Sequence, residues 1–387
     1  MPSKIKHRGG NSYLLSVAAG YDLHGQQIVK TKTIQASSQR EAEREYIAFA
    51  SEVQQGLVAS TKKLKLAEFA QQWFDAHVKK DLAPKTQLSY RNHLNMRILP
   101  ALGHIDIQKL RPQHILKFVD MLENKAIRHD GRGGKLSPET ARYCFRVLSS
   151  MLQDAVQWQV ISSNPCFRVQ APKPAKKKPV QFDDGQIQAM LTALKEEPLI
   201  YRTIILLAID SGLRLGELMG LKWDDLDFEA GTMKIVRSSQ AIKGKGIFTK
   251  APKTQSSIRT VSLSESILCL LTEYRNWQTG QKQLLQNQWH DGGWLFTQWN
   301  GLPMYPTTPS QWFSKFLKRH ELPHISFHAL RHLSATLLIS FGVPLKNVSS
   351  RLGHTDIRTT ANIYSTALQS VDRQAAEKMD AYLRDNN

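Results

Sequence analysis

The chain is short of cysteine. Three in 387 residues, Cys144, Cys166 and Cys269, stand far apart, which excludes a disulfide framework and the closely paired thiols of a zinc site. That usage fits a reducing cytoplasm. Long apolar runs are missing too. The longest, such as "TIILLAI" at 203–209, fall well below the ~20 residues that a membrane helix needs. The opening "MPSKIKHRGGNSYLL" is basic but has no apolar core or small-residue cleavage site, so no signal peptide is expected. Acidic residues are outnumbered: 33 Asp and Glu face 52 Lys and Arg, a formal net charge of +19. An excess of that size favours a polyanionic partner. Nucleic acid stands ahead of a membrane surface, because no lipid-binding amphipathic segment is present.

The apolar content is ample, with 41% hydrophobic residues, eight Trp and fourteen Phe, and the length suggests two or three domains. In "SYLLSVAAGY" (12–21), Tyr13, Leu15, Val17, Ala19 and Tyr21 alternate onto one face, and the β-branched "IVKTKTI" (28–34) follows a turn-like stretch. Together they predict an antiparallel hairpin. "SSQREAEREYIAFASEVQQG" then switches to a helical period, with Ser38 and Glu41 as a capping box and Gly56 as the stop. Residues 1–60 thus read as a small domain, and Lys4, Lys6, Arg8, Lys30 and Lys32 are expected to give it a basic face.

Residues 64–170 read as a bundle of about four helices. Leu66, Phe69, Ala70, Trp73, Phe74 and His77 recur at helical spacing. Pro84, Pro112 and Pro138 stand at first-turn positions, and Pro100 with Gly103 marks a stop. Residues 171–180 form a basic, proline-broken linker carrying Lys173, Lys176, Lys177 and Lys178, expected to lie along a phosphate backbone. Residues 181–387 read as a mostly helical domain with a strand-rich insert at 231–263, whose strands are "TMKIVR" and "IRTVSL".

Four separated pieces of this last region carry related polar residues. "DSGLRLGELMGLKW" (210–223) sets Arg214 beside Glu217 at i,i+3; "APKTQSSIRTV" holds Lys253. "ISFHALRHLSATLL" (325–338) supplies His328 and Arg331, and "SRLGHTDIRTTANIYS" (350–365) supplies His354 and Tyr364. Singly, each has a structural reading: an ion-paired arginine, a hairpin lysine, a helix-capping histidine, a half-buried tyrosine. His328 and His332 at i,i+4 match the metalloprotease spacing, but Ala329 stands where that pattern has its glutamate. The acidic "WDDLDFEAG" (223–231) reads as a turn into a strand, since carboxylates there would repel phosphate.

The order Arg, Lys, His-x-x-Arg, Leu-Gly-His, Tyr resembles the tyrosine recombinase family, the phage-type integrases. "SGLRLGEL", "PKTQSSIRTV", "HALRHLSAT", "LGHTDIRTTANIY", "PKTQLSYRNHLNMRILPALG" and "SNPC" all look like that family's sequence. The likeness covers residues 64–387, and the first 60 residues are similar to the arm-site-binding domain of larger integrases. The implied fold is multidomain and mainly α with small β elements. It comprises an N-terminal hairpin or sheet plus helix, a helical core-binding (SAM-like) bundle, and a mixed α/β catalytic domain.

The chemistry suits these residue types. Breaking a phosphodiester without a cofactor needs a nucleophile, stabilisation of charge on the phosphoryl oxygens, and a proton for the leaving oxygen. Arg214 and Arg331 are permanently charged planar forks suited to two non-bridging oxygens. A phenol needs a neighbouring base or a cationic pocket to attack. By the resemblance, Tyr364 forms a 3′-phosphotyrosyl bond, Lys253 is the general acid, His328 the candidate general base, and His354 a hydrogen-bond donor to the phosphate. No ATP, metal or other cofactor is implied.

The resemblance further implies double-stranded DNA with core and arm sites as partner. Four protomers would pass through a Holliday junction, and an excisionase or host DNA-bending factor could assist. The implied task is integrating or excising a phage or mobile element in a bacterial cytoplasm. After Tyr364, Val371, Ala375, Met379, Tyr382 and Leu383 form an apolar stripe that would dock in cis or on a neighbouring protomer. The rivals are a chromosome-dimer-resolving recombinase, a type IB topoisomerase, and a catalytically silent DNA-binding protein of the same fold. The extra N-terminal residues count against the first and the intact six-residue set against the last, while the topoisomerase would share the chemistry and relax DNA without a specific site.

Overall fold

The computed structural model describes residues 5–21, 26–54, 63–125, 134–174, 182–242, 244, 246–251, 258–353, 356–358, 361, 380 and 383–384. The chain divides into two compact units, Met1–Lys177 and Lys178–Asn387.

In the first unit, strands β1 (Ile5–Gly9), β2 (Ser12–Tyr21) and β3 (Gln27–Gln35) form an antiparallel sheet in that order, one strand more than the expected hairpin. Leu15 and Val17 of β2 bury against Phe49 and Val53 of helix α1 (Gln39–Gln54). The capping differs by one residue from expectation. Ser38 Oγ accepts from the Glu41 amide at 3.3 Å, but the Glu41 carboxylate reaches back to the Ser37 amide at 2.7 Å. Register also splits the expected basic face. Lys30 pairs with Val17 and Lys32 with Leu15, on the side that α1 covers, whereas Lys6 pairs with Leu14 on the opposite side. Lys32 Nζ accordingly lies 3.9 Å from Glu45 of α1. Lys4 and Gly56 lie outside the described residues.

The helical part comprises α2 (Leu66–Trp73), α3 (Pro84–His93), α4 (Pro112–Asp120) and α5 (Pro138–Gln157). Each of the last three opens with its proline, whose missing N–H falls where no intrahelical partner exists. The helix that Pro84 opens stops near Pro100 and Gly103, as expected. A π turn over Leu94–Ile98 precedes that stop, and a further helical turn, Leu99–Leu102, leads to Gly103. π turns also extend α2 and α4, at Phe74–Val78 and Met121–Lys125. Phe69, Trp73, Ile98, Ile115, Phe118 and Leu148 build the core, with Cys144 and Cys166 buried in it. Burial pushes both thiols up to about 12, so they are inert packing groups.

The second unit contains α6 (Asp184–Ala193), α7 (Leu199–Ser211), the single turn α8 (Leu215–Leu218), α9 (Glu265–Leu285), α10 (Thr308–Arg319), α11 (Phe327–Ser340) and α12 (Leu345–Leu352). Between α8 and α9 run β4 (Leu226–Asp227), β5 (Thr232–Ile235), β6 (Ser238–Ile242), β7 (Gly246–Lys250) and β8 (Arg259–Ser262). The two strands expected of the insert pair antiparallel as β5 and β8, with β4 completing the sheet, and β6–β7 form a separate hairpin. Ile204, Ile205, Leu271, Tyr274, Phe313, Phe316 and Leu330 fill the core, which holds α7, α9, α10 and α11 together. Among the described residues no helix is long and apolar enough to cross a membrane.

Candidate active site

Two helices of the second unit end alike. α7 ends at Gly212 (φ +64°) and α12 at Gly353 (φ +70°), both left-handed caps that a side chain would strain. At such ends the last carbonyls lack intrahelical partners and carry the negative pole of the helix. Here they seat arginines. Arg331 Nη1 donates to the Gly212 carbonyl at 2.8 Å, and Arg214 Nη2 donates to the Gly353 carbonyl at 3.2 Å. The αL glycines therefore point two guanidinium forks from behind.

Arg214 is not inside a helix, as its i,i+3 spacing from Glu217 predicts, but immediately before one, as the N-cap of α8. The pair forms nonetheless. Its Nη1 donates to Glu217 Oε1 at 2.9 Å and its backbone N–H to Oε2 at 3.1 Å. A second arginine shares that carboxylate: Arg259 Nη2 donates to Oε2 at 2.8 Å, while Arg259 Nε donates to the Arg351 carbonyl at 2.8 Å. Burial would raise the Glu217 carboxyl, but Arg259 and then Arg214 hold it below the usual range. Two guanidinium groups thus pair with one ionised carboxylate, leaving a formal surplus of one positive charge, and Arg331 stands within electrostatic range of all three.

Arg331 is 2% exposed. Burial lowers its guanidinium to about 9, with the Arg214 charge adding to the fall and Glu217 opposing it, so it stays charged at neutral pH. Its Nη2 is buried and has no hydrogen-bond partner among the described residues. A buried donor left unpaired costs about 1–3 kcal/mol, more when charged. An incoming anion would relieve that cost.

His328 lies one turn before His332 on α11, their rings 4.9 Å apart and near perpendicular. Burial lowers the His328 imidazole, and His332, Arg331 and Arg214 lower it further. Burial and Arg331 do the same to His332. Both are therefore neutral at pH 7 and able to accept a proton. No group of three metal-ligating side chains occurs among the described residues.

The structure thus brings Arg214, His328 and Arg331 into one cationic cluster. Lys253, His354 and Tyr364, and Lys176, Lys177 and Lys178 of the linker, lie outside the described residues, as do Val371, Ala375, Met379 and Tyr382 of the terminal stripe. Lys173 and Leu383 are exposed. Sequence reading missed Arg259. Its signal was parity: Arg259 shares the inward-facing phase of β8 with Val261 and Leu263, an odd place for a charge without a buried partner.

Residues 181–370 match the model of the phage integrase family, and residues 65–122 match that of the phage integrase N-terminal SAM-like domain. Among curated relatives, a tyrosine recombinase XerC-like protein of Caldanaerobacter subterraneus is 29% identical, over 96% of each chain. The ICEBs1 integrase of Bacillus subtilis is 24% identical over 98% of this chain and all of its own. Among solved structures, the Tn1549 transposon integrase in complex with transposon right end DNA covers 81% of this chain and all of its own, with a TM-score of 0.67 and 21% identity. The lambda integrase tetramer bound to a Holliday junction covers 94% of this chain and 95% of its own, with a TM-score of 0.57 and 18% identity. At those identities the likeness to solved structures is one of fold.

Proposed function

As this chain belongs to the phage integrase family of tyrosine recombinases and so cuts and rejoins DNA, we propose that it does so through Tyr364 under the charge of Arg214 and Arg331. The phenol oxygen of Tyr364 attacks phosphorus, the bond to the 5′ oxygen breaks, and a 3′-phosphotyrosyl bond forms. The departing 5′ oxygen takes its proton from Lys253, and the tyrosine proton passes to His328, which its surroundings keep neutral. His354 donates to a non-bridging oxygen. The new phosphodiester conserves the energy of the old, so rejoining is the same sequence reversed on a new 5′ hydroxyl, without ATP. Donors aimed in advance at developing charge supply about 2.7–4 kcal/mol each.

The observation that carries this reading is the half-tied Arg331: one fork nitrogen fixed on the Gly212 carbonyl, the other buried with no partner among the described residues. A cation so placed, beside Arg214 and a net positive surplus, is suited to a phosphate. The charge of +19 on the whole chain fits a DNA partner whose phosphates position the protein.

The further parts of the reading follow the domain organisation. Residues 1–60 are an arm-type DNA-binding domain, with Lys6 and Arg8 of β1 at the phosphates. Residues 64–170 are the core-binding domain, and 171–180 are a linker whose Lys173, Lys176, Lys177 and Lys178 follow the backbone. Residues 181–387 are the catalytic domain. The lambda integrase tetramer on a Holliday junction is a precedent for four protomers exchanging strands in pairs. The integrase name of the ICEBs1 relative favours integration and excision of a mobile element in a bacterial cytoplasm, with an excisionase or a host bending factor setting direction.

The test is a nicked suicide duplex carrying the core sequence that the full-length protein protects in a footprint. Wild type should leave a protein–DNA adduct on a denaturing gel, and Tyr364→Phe should leave none. No adduct on a duplex the protein binds would sink the covalent mechanism. Strand exchange between two such sites, rather than relaxation of supercoiled DNA lacking them, separates a recombinase from a topoisomerase.

A further inference from the structure

The Arg214–Glu217 pair is one end of a bracket that runs back through the buried Arg259 to the Arg351 carbonyl. The Arg214 side chain is 42% exposed, whereas those of Arg259 and Glu217 are 8% and 9% exposed. Arg214 is therefore the front of the cluster and Arg259 its back. Arg259 spends Nη2 on Glu217 Oε2 and Nε on the Arg351 carbonyl, both at 2.8 Å. Those two bonds join β8 to the N-terminus of α8 and to the last turn of α12. Gly353 closes over the guanidinium so tightly that a Cβ there would stand 2.8 Å from Arg259 Nη1.

One reaction group is bonded to that bracket, and two more neighbour it in sequence. Arg214 hangs on Glu217. Lys253 lies just upstream of Arg259 on the segment leading into β8, and His354 directly follows Gly353. We propose that Arg259 is a positioning residue for strand cleavage: through Glu217 it sets Arg214, and through the Arg351 carbonyl it ties β8 to the last turn of α12, where the Gly353 carbonyl receives the same Arg214. The role rests on the Tyr364 reading above.

The two-pronged bond pattern decides which substitutions are informative. A lysine is a single point charge; it can pair with Glu217 or reach the Arg351 carbonyl, but it lacks the planar fork that does both. Arg259→Lys therefore keeps the charge and loses the bracket. Displacements of about 1 Å at a reacting centre cost on the order of 100-fold in rate.

The experiment uses the full chain on the footprinted core duplex, with binding measured by fluorescence anisotropy and single-turnover cleavage measured at saturating protein. Arg259→Lys should bind within about twofold of wild type and cleave about 100-fold more slowly. It should also gain an acid limb, because a lysine drawn to the Arg351 carbonyl withdraws from Glu217 the hydrogen bond that most lowers its carboxyl, leaving Arg214 and the lysine charge to oppose burial. Adding Glu217→Gln to Arg259→Lys should remove that limb and leave the rate low. A purely structural arginine would change the melting temperature and binding together and leave the pH profile alone. Should Arg259→Lys fail to fold, the doubly neutral Arg259→Met with Glu217→Leu removes both buried charges, and the same slow cleavage with intact binding is expected. Cleavage at the wild-type rate by either folded variant overturns the positioning role alone. No wild-type adduct on bound duplex overturns the Tyr364 reading, and the positioning role with it.

Discussion

Arg331 Nη1 donates a 2.8 Å hydrogen bond to the carbonyl of Gly212, joining residues 119 apart in sequence. The bond needs the left-handed turn at Gly212, because only there does the α7 carbonyl face α11 instead of continuing the helix. The arginine is thereby committed by one nitrogen and left charged at the other.

Arg331→Lys is expected to bind the core duplex nearly as well as wild type and to cleave it 10²–10³-fold more slowly, since one preorganised donor is lost. Single-turnover cleavage at saturating protein reads this directly. An equal loss in binding would mean that the residue serves affinity, not the transition state.

Gly353→Ala should damage both stability and chemistry. The φ of +70° strains any side chain, and the new Cβ would press on Arg259. Urea unfolding should reveal a loss of more than about 1 kcal/mol, and the surviving folded protein should cleave slowly. Unchanged urea curves would mean that α12 ends by some other route.

The pH profile follows from the histidines. His328 and His332 bind protons less readily in the folded protein than an ordinary imidazole does, first because of burial and then because of cationic neighbours. His328 therefore stays a proton acceptor below pH 6.5, and cleavage should be flat from pH 8 to 6.5, with its acid limb lower still. The unfolded chain takes up these protons first, so stability is fully present above pH 6.5 and declines as pH falls. A cleavage limb centred above pH 6.5 would remove His328 as the base.

In the first unit, Trp73→Ala is expected to cost about 3–5 kcal/mol. Trp73 is fully buried, stacks on Tyr90 and donates its indole N–H to Asp154. His93, held down to about 4 by burial and then by Arg97, adds an acid sensitivity there. Its stabilising effect is complete above pH 6.5 and is lost as pH falls toward 4. Calorimetry from pH 7.5 to 5, with His93→Asn as the comparison, should find the wild-type melting temperature falling more steeply.

Lys173, in the proposed linker, is exposed. If it contacts a phosphate, Lys173→Ala should reduce the slope of log K against log salt by about 0.9 and weaken binding alike on all sequences. An unchanged slope would take Lys173 off the backbone.

Periodicity and proline placement were enough to read the helical bundle, because three of its four helices begin where Pro84, Pro112 or Pro138 has no N–H to lose. The stop near Pro100 and Gly103 was legible too, whereas the π turn before it is a backbone adjustment with no local sequence mark. The basic face of the sheet misled the reading. Lys30 and Lys32 belong to the same strand phase as each other, but which side α1 covers is settled only by pairing Lys32 with Leu15.

Chain order alone determined the reaction class: two arginines, a lysine, two histidines and a tyrosine, in sequence motifs that leave little choice of chemistry. Tertiary structure decided what holds the two arginines. The Arg259–Glu217 bridge spans 42 residues and the Arg214–Gly353 bond 139. A local pattern reports which face of its own element a residue occupies, not which carbonyl from a distant helix end will meet it. That meeting depends on how α7, α8, α11, α12 and β8 pack, and packing is the free-energy minimum of the whole unit.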